Sequence, residues 1–151
     1  MILSDSVDIR TTPAQVFAFF AGMEENYRRW HPDHILFRWV EGAGIAEGVV
    51  FHFEERIAGK LLRKTVRFTR IVPGRLIEFA PTSFLFRLVL PSIAFAIVPH
   101  GDGVTVRQTI RIRIGPIGAW LNHRDFAAVI RHMREEGANM RRLLEGAAAT
   151  T

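Results

Sequence analysis

Apolar and polar positions along this chain lay out a strand, two helices, about six further strands and one long helix. The clearest stretch runs from Val104 to Ile114. Val104, Val106, Gln108, Ile110, Ile112 and Ile114 fall on one face, and Thr105, Arg107, Thr109, Arg111 and Arg113 on the other. That alternation marks an antiparallel strand with one packed and one wet face. Upstream, the pattern predicts strands over Ser4 to Ile9, Ile35 to Glu41, Gly48 to Ile57, Leu61 to Val72, Arg75 to Ala80 and Leu85 to Val98, the last bent near Pro91. Gly42 with Gly44, Ala58-Gly59-Lys60, Pro73-Gly74 and Gly101-Asp102-Gly103 supply the turns between them.

Two helices follow the first strand. Thr12 is placed to cap the first and Pro13 suits its opening position. Val16, Phe17, Phe19 and Phe20 form its apolar face, Gly22 ends it, and a shorter helix runs from about Glu24 to Arg29. Gly115-Pro116 breaks the last strand. A final helix then spans Ile117 to Glu145, with an interruption near Asn122 and His123, and a frayed tail begins at about Gly146. Hairpin-linked strands closed by one long amphipathic helix predict an α+β architecture, a curved antiparallel sheet gripping a helix with a pocket between them. The length of 151 residues fits a single domain over residues 1–151, and no linker or internal repeat interrupts it.

Composition sharpens this picture in a few places. With 48% apolar residues and 12 Phe, the chain has the makings of a large aromatic core. It contains no Cys, which excludes disulfides and thiolate metal sites. Met1 to Arg10 carries two Asp and no apolar run, unlike a secretory signal, and the Phe84 to Val98 stretch falls short of the roughly 20 residues a membrane span needs. The expectation is a cytoplasmic protein without a membrane partner. The net charge of +5 is spread along solvated strand faces, so no nucleic acid partner is expected. A homodimer is compatible with these features.

Three places put chemistry-bearing residues where apolar ones are expected. At about 100° per residue, Phe126, Val129, Met133, Met140 and Leu144 form one apolar stripe on the final helix. Glu136 falls inside that stripe, His132 lies beside it one turn earlier, and Asn139 follows on the same edge. A carboxylate on a core-facing stripe needs a partner, because burying an isolated charge is costly. The i, i+4 spacing aims His132 and Glu136 at one spot. That spot could hold a metal; the ordinary alternatives are a self-satisfying His–Glu pair or a stripe edge open to water. In the strand Val49 to Ile57, Glu55 shares a face with Val49, Phe51, Phe53 and Ile57, while Glu54 shares the polar face with His52 and Arg56. Glu55, rather than Glu54, is therefore expected to face the cavity. Finally, His31 and His34 flank a Pro-Asp turn in Trp30-His31-Pro32-Asp33-His34. Imidazoles and carboxylates brought together from these three elements suit zinc or another divalent ion such as manganese or iron, and two of each would balance its charge.

The element order, with Val7-Asp8-Ile9 leading into Thr12-Pro13-Ala14-Gln15-Val16-Phe17 and the long C-terminal helix, resembles the START/Bet v 1-like superfamily, also called SRPBCC, which includes the polyketide cyclases. The likeness covers almost the whole chain and implies the helix-grip fold. A narrower resemblance rests on Trp30-His31-Pro32-Asp33-His34, Phe53-Glu54-Glu55 and His132-Met133-Arg134-Glu135-Glu136, which look like the diacetylphloroglucinol hydrolase group of that superfamily. Those enzymes are zinc-dependent and cleave a carbon–carbon bond next to an acyl group on a phenolic ring. Carried over residue by residue, the resemblance implies His34, Glu55, His132 and Glu136 as metal ligands, with His31 the alternate to His34 and Glu54 the alternate to Glu55. This chain is much shorter than those hydrolases, so the metal site carries over better than the substrate.

Two functions follow as expectations. One is a zinc-dependent hydrolase acting on an acyl-phenol or β-dicarbonyl, with Tyr27 and Asn139 as substrate-orienting residues. Four protein ligands usually close a zinc site, so catalysis then needs a fifth position or a carboxylate acting as base. The other is a metal-free or cyclase-like protein binding a small hydrophobic ligand, such as a lipid, polyketide or aromatic molecule, in a Phe-rich cavity.

Overall fold

The computed structural model describes residues 1–149. The elements in chain order are β1 (Ile2–Ile9), α1 (Pro13–Ala21), α2 (Met23–Trp30), β2 (His34–Glu41), β3 (Val50–Ile57), β4 (Lys60–Val72), β5 (Leu76–Pro81), α3 (Phe84–Val89), β6 (Ser92–His100), β7 (Gly103–Arg111), α4 (Pro116–Leu121) and α5 (His123–Ala149). The seven strands form one sheet in the order β1-β7-β6-β5-β4-β3-β2, every neighbouring pair antiparallel. Consecutive strands pair as hairpins. The exception is β1, which joins β7 across the chain, with Ile2 opposite Arg111 and Ile9 opposite Val104. This is the helix-grip fold expected from the pattern.

Local chemistry explains the entry into the helices. The Thr12 side chain accepts from the Gln15 amide at 3.2 Å, and the Gln15 side chain accepts from the Thr12 amide at 3.3 Å. That reciprocal cap satisfies two amides that a helix start leaves open. It sets α1 so that Val16, Phe19 and Phe20 are buried. Phe19, Phe20 and Phe95 then surround Trp30 with ring centroids 5.4–6.0 Å apart.

Three sequence expectations need correction. The apolar run read as one strand from Leu85 to Val98 is divided: Phe84–Val89 forms α3, capped by Ser83, and β6 starts only at Ser92. A short apolar run has no periodicity that separates strand from helix, and Pro91 breaks the two apart. The last strand ends at Arg111 rather than Ile114, because both neighbours start opposite it, β1 at Ile2 and β6 at Ser92. The final helix does not fray at Gly146: it continues to Ala149, as three consecutive alanines favour. Its expected interruption near Asn122 and His123 is present, with α4 ending at Leu121 and α5 starting at His123. The last two positions of the expected tail lie outside the described residues.

The curved sheet and α5 enclose a cavity of about 540 Å³. Its wall is mostly aromatic and aliphatic, with Phe37, Phe51, Phe53, Phe68 and Phe79 on the sheet side and Phe126, Val129 and Met133 on α5. Exposed apolar side chains cluster on α3 and α4, including Phe84, Leu85, Ile117 and Trp120.

Candidate metal centre

The polar exceptions in this wall converge at one place. The register of the β2–β3 ladder sets His34 directly opposite Glu55. Turn geometry fixes that start of β2: the His34 amide bonds to the His31 carbonyl at 3.1 Å, and the Arg56 amide bonds to the Asp33 carbonyl at 2.9 Å. On the other side of the cavity, α5 presents His132 and Glu136 from successive turns. The indole N–H of Trp30 donates to the Glu136 backbone carbonyl at 2.9 Å, pinning the helix above the strands. All four side chains are buried, with relative exposures of 3–6%. One ligand atom from each lies within 4.8 Å of the others.

The distances describe an unbalanced cluster. Nε2 of His34 lies 2.8 Å from Oε1 of Glu136 and 3.6 Å from Oε2 of Glu55. Nε2 of His132 lies 3.2 Å from the same Glu136 oxygen and 3.3 Å from the same Glu55 oxygen. It makes a proper hydrogen bond to neither and is a buried polar atom without a partner. The Nδ1 of His34 sits 2.8 Å from the Tyr27 carbonyl, which can only accept, so Nδ1 carries the proton. Its Nε2 faces Oε1 of Glu136 at hydrogen-bond distance. Two acceptors at that distance need a proton or a cation between them.

Electrostatics agree. Burial opposes a charge on Glu136, but His132 and His34 outweigh it and hold its carboxyl down at about 2. Burial likewise opposes the ionised form of Glu55, yet His132 and Lys64 leave it below the usual carboxylate range. Burial lowers His132, but Glu136 and Glu55 override that and push it up to about 10. In the metal-free protein the carboxylates thus stay ionised and draw a proton onto His132, the same attraction they would exert on a cation.

The structure brings together His34, Glu55, His132 and Glu136; of the alternates, Glu54 is set apart, whereas His31 packs beside His132 and groups with His132 and Glu135. His31 is buried but occupied: its Nδ1 accepts from the Asp33 amide at 2.9 Å and its Nε2 donates to Glu135 at 2.7 Å. It holds the loop to α5. Glu54 lies on the opposite face of the sheet, 2.8 Å from His52 and 3.6 Å from Arg63. Tyr27 lines the cavity and stacks on His34 with ring centroids 4.0 Å apart. Its hydroxyl is buried without a hydrogen-bond partner, and burial, Glu55 and Glu136 push the phenol well above its usual value. Asn139 is half-buried and is not among the residues that line the cavity.

Two residues at the centre escaped the sequence reading. Gln108 donates to Oε2 of Glu136 at 3.1 Å. Lys64 places its Nζ 3.6 Å from Oε1 of Glu55 and 5.5 Å from the centroid of the Phe53 ring. Each stood as a polar residue on an apolar strand face: Gln108 between Val106 and Ile110, and Lys64 between Leu62 and Val66.

Comparison with known proteins bears on the family and the fold. The family model for polyketide cyclase/dehydrase and lipid transport matches residues 2–145. A search of curated proteins gives no match. Among solved structures, a START superfamily protein from Mycobacterium smegmatis superposes with a TM-score of 0.69 at 13% identity, covering 97% of this chain and 98% of that one. Ginseng major latex-like protein 151 from Panax ginseng gives 0.61 at 15% identity, covering 87% and 96%. The Aha1 dimer from Colwellia psychrerythraea gives 0.59 at 15% identity, covering 96% of each. A seven-stranded sheet curled around a C-terminal helix, matched from end to end by these folds and by the family model, makes this chain a member of the polyketide cyclase/dehydrase and lipid transport family within the START-like, or SRPBCC, superfamily.

Proposed function

We propose that His34, Glu55, His132 and Glu136 hold a divalent metal, zinc in the first instance, and that the protein is a metal-dependent hydrolase of a small acyl-phenol or β-dicarbonyl compound. The observation that carries this reading is the buried His132 Nε2, which lies 3.2 and 3.3 Å from two ionised carboxylates yet makes a hydrogen bond to neither. Two neutral imidazoles and two carboxylates offset a divalent charge, and nitrogen and oxygen donors suit zinc. Bound there, the metal would supply Lewis acidity toward a carbonyl oxygen and a water acidified toward a pKa of about 7.

The chain's own residues define the rest. The aromatic walls take up the ring and exclude water. Tyr27 offers a donor with no other use, well placed for a substrate oxygen beside Glu55. Of the two carboxylates, Glu136 is fixed by His34 and Gln108, whereas Glu55 makes only longer contacts, 3.3–3.6 Å. Glu55 is the one free to turn from ligand to general base. In the reaction, water adds to the acyl carbon, the bond to the ring or enol carbon breaks, and that carbon leaves with the electron pair and is protonated. The products are a carboxylic acid and the deacylated phenol or ketone.

The test is metal content of untagged protein, followed by acetate release from a C-acetylated phloroglucinol. Metal at one equivalent with acetate release dependent on Glu55 supports the proposal. Full metal occupancy with no turnover on acyl-phenols or β-diketones would leave a metal-bearing binding protein. Absence of metal would overturn the centre itself. A second reading, a carrier for a small hydrophobic molecule, is favoured by the breadth of the apolar wall, and it expects tight binding of such a molecule with no turnover.

A further inference from the structure

A divalent ion in the centre changes the charge balance of the cavity wall. Lys64 is the only Lys or Arg among the described residues that line the cavity. Its position follows from the ladder: Lys64 sits opposite Phe53, whose ring faces inward, and alternation along β4 turns Leu62, Val66 and Phe68 the same way. Its side chain is 14% exposed. The acid within reach is Glu55 at 3.6 Å. Asp125, at the α5 end of the cavity, is engaged by Lys60 at 2.9 Å.

One carboxylate cannot neutralise two cations. Without metal, Glu55 is the counter-charge for Lys64. With a divalent ion balanced by Glu55 and Glu136, the Lys64 ammonium becomes an uncompensated positive charge in an apolar wall. An unpaired charge in such surroundings is costly, and an anion that reaches it recovers the loss. Resting on the metal reading, we propose that Lys64 makes the metal-loaded cavity selective for an apolar monoanion: an aromatic or aliphatic body carrying one carboxylate, phenolate or enolate. For a hydrolase of β-dicarbonyls or acyl-phenols, the substrate is then taken up in its ionised form. Lys64 acts as a specificity-determining residue that holds the negative oxygen beside the metal.

The probes are naphthalene-2-carboxylate and the neutral, nearly isosteric 2-naphthamide, titrated calorimetrically into zinc-loaded protein and into protein stripped with chelator. A charge-assisted hydrogen bond is worth enough to favour the carboxylate about tenfold over the amide in the loaded protein. That preference should fall to about twofold or less in stripped protein, where Glu55 already pairs with Lys64. Lys64→Met should abolish the preference in protein shown to carry zinc, and Lys64→Arg should retain it. Equal binding of the two probes, binding of neither, or a preference that survives Lys64→Met would overturn the proposal; the last would put the anion on the metal alone. A carboxylate preference that persists after stripping would overturn the charge argument. Zinc content, measured on the same samples, separates failure of this inference from failure of the metal centre.

Discussion

At the scale of single residues, the centre behaves as two carboxylates searching for positive charge. In the stripped protein that charge is a proton on His132. Its value of about 10 lies above the ordinary histidine value of 6.5, so the stability it contributes is fully present below about 6.5 and is lost as pH rises through about 10. Glu136, held at about 2 against an ordinary 4.5, contributes stability that is present above about 4.5 and is lost as pH falls through about 2. The melting temperature of chelator-treated protein should therefore be highest between about pH 4.5 and 6.5 and decline toward pH 10. A flat profile from pH 6 to 10 would show that His132 is not held by these carboxylates. The same proton must leave when metal binds. Zinc titrations at pH 7.5 in buffers of different ionisation enthalpy should report about one proton released per metal, falling toward zero in His132→Ala. Glu136→Gln removes a charge that two imidazoles face, and zinc affinity should drop by at least about a hundredfold, read by competition with a chromogenic chelator.

Residue patterns revealed much of this centre and hid part of it. Glu55 and Glu136 were legible because each interrupts an apolar face, where a carboxylate has no ordinary reason to be. The choice between His31 and His34 was not: both flank one Pro-Asp turn, and only the β2–β3 register, with His34 opposite Glu55, separates them. Lys64 was overlooked for a different reason. A long cationic side chain on a strand is usually solvated, and only the inward phase of Leu62, Val66 and Phe68 marks it as part of the wall.

At the scale of elements, close packing fixes where β1 meets β7. A side chain on Gly103 would collide with the Ile9 carbonyl oxygen. That contact joins the strand leading into α1 to the strand that carries Gln108. Gly103→Ala should cost about 1–3 kcal/mol in urea unfolding, the range for overpacking at a tight site. A change below about 0.5 kcal/mol would show that the hairpin yields freely. Elements with strong periodicity, such as β7 and most of α5, were readable from sequence within a few residues. The Phe84 to His100 stretch was not, because Phe84–Val89 carries apolar residues on all sides and Phe84, Leu85 and Leu88 remain exposed in α3. Hydrophobicity there does not report burial, so it cannot report the period of the element.

At the scale of the molecule, the site takes its side chains from both the sheet and α5. His34 and Glu55 belong to the sheet, and His132 and Glu136 to the helix that closes it. A metal bridging them should act as a cross-link between the two layers. Zinc at about 100 times its dissociation constant should stabilise the fold by about 2.7 kcal/mol, raising the melting temperature by several degrees, and chelator should reverse it. No helix among the described residues is long and apolar enough to cross a membrane.

The most direct test is anomalous diffraction from crystals of untagged protein, collected on both sides of the zinc absorption edge. The centre predicts one strong peak, about 2.0–2.3 Å from His34 Nε2, His132 Nε2 and a carboxylate oxygen of Glu55 and of Glu136. A zinc-supplemented crystal with no peak at these four residues, or with a proton-bridged His–Glu cluster in its place, would contradict it.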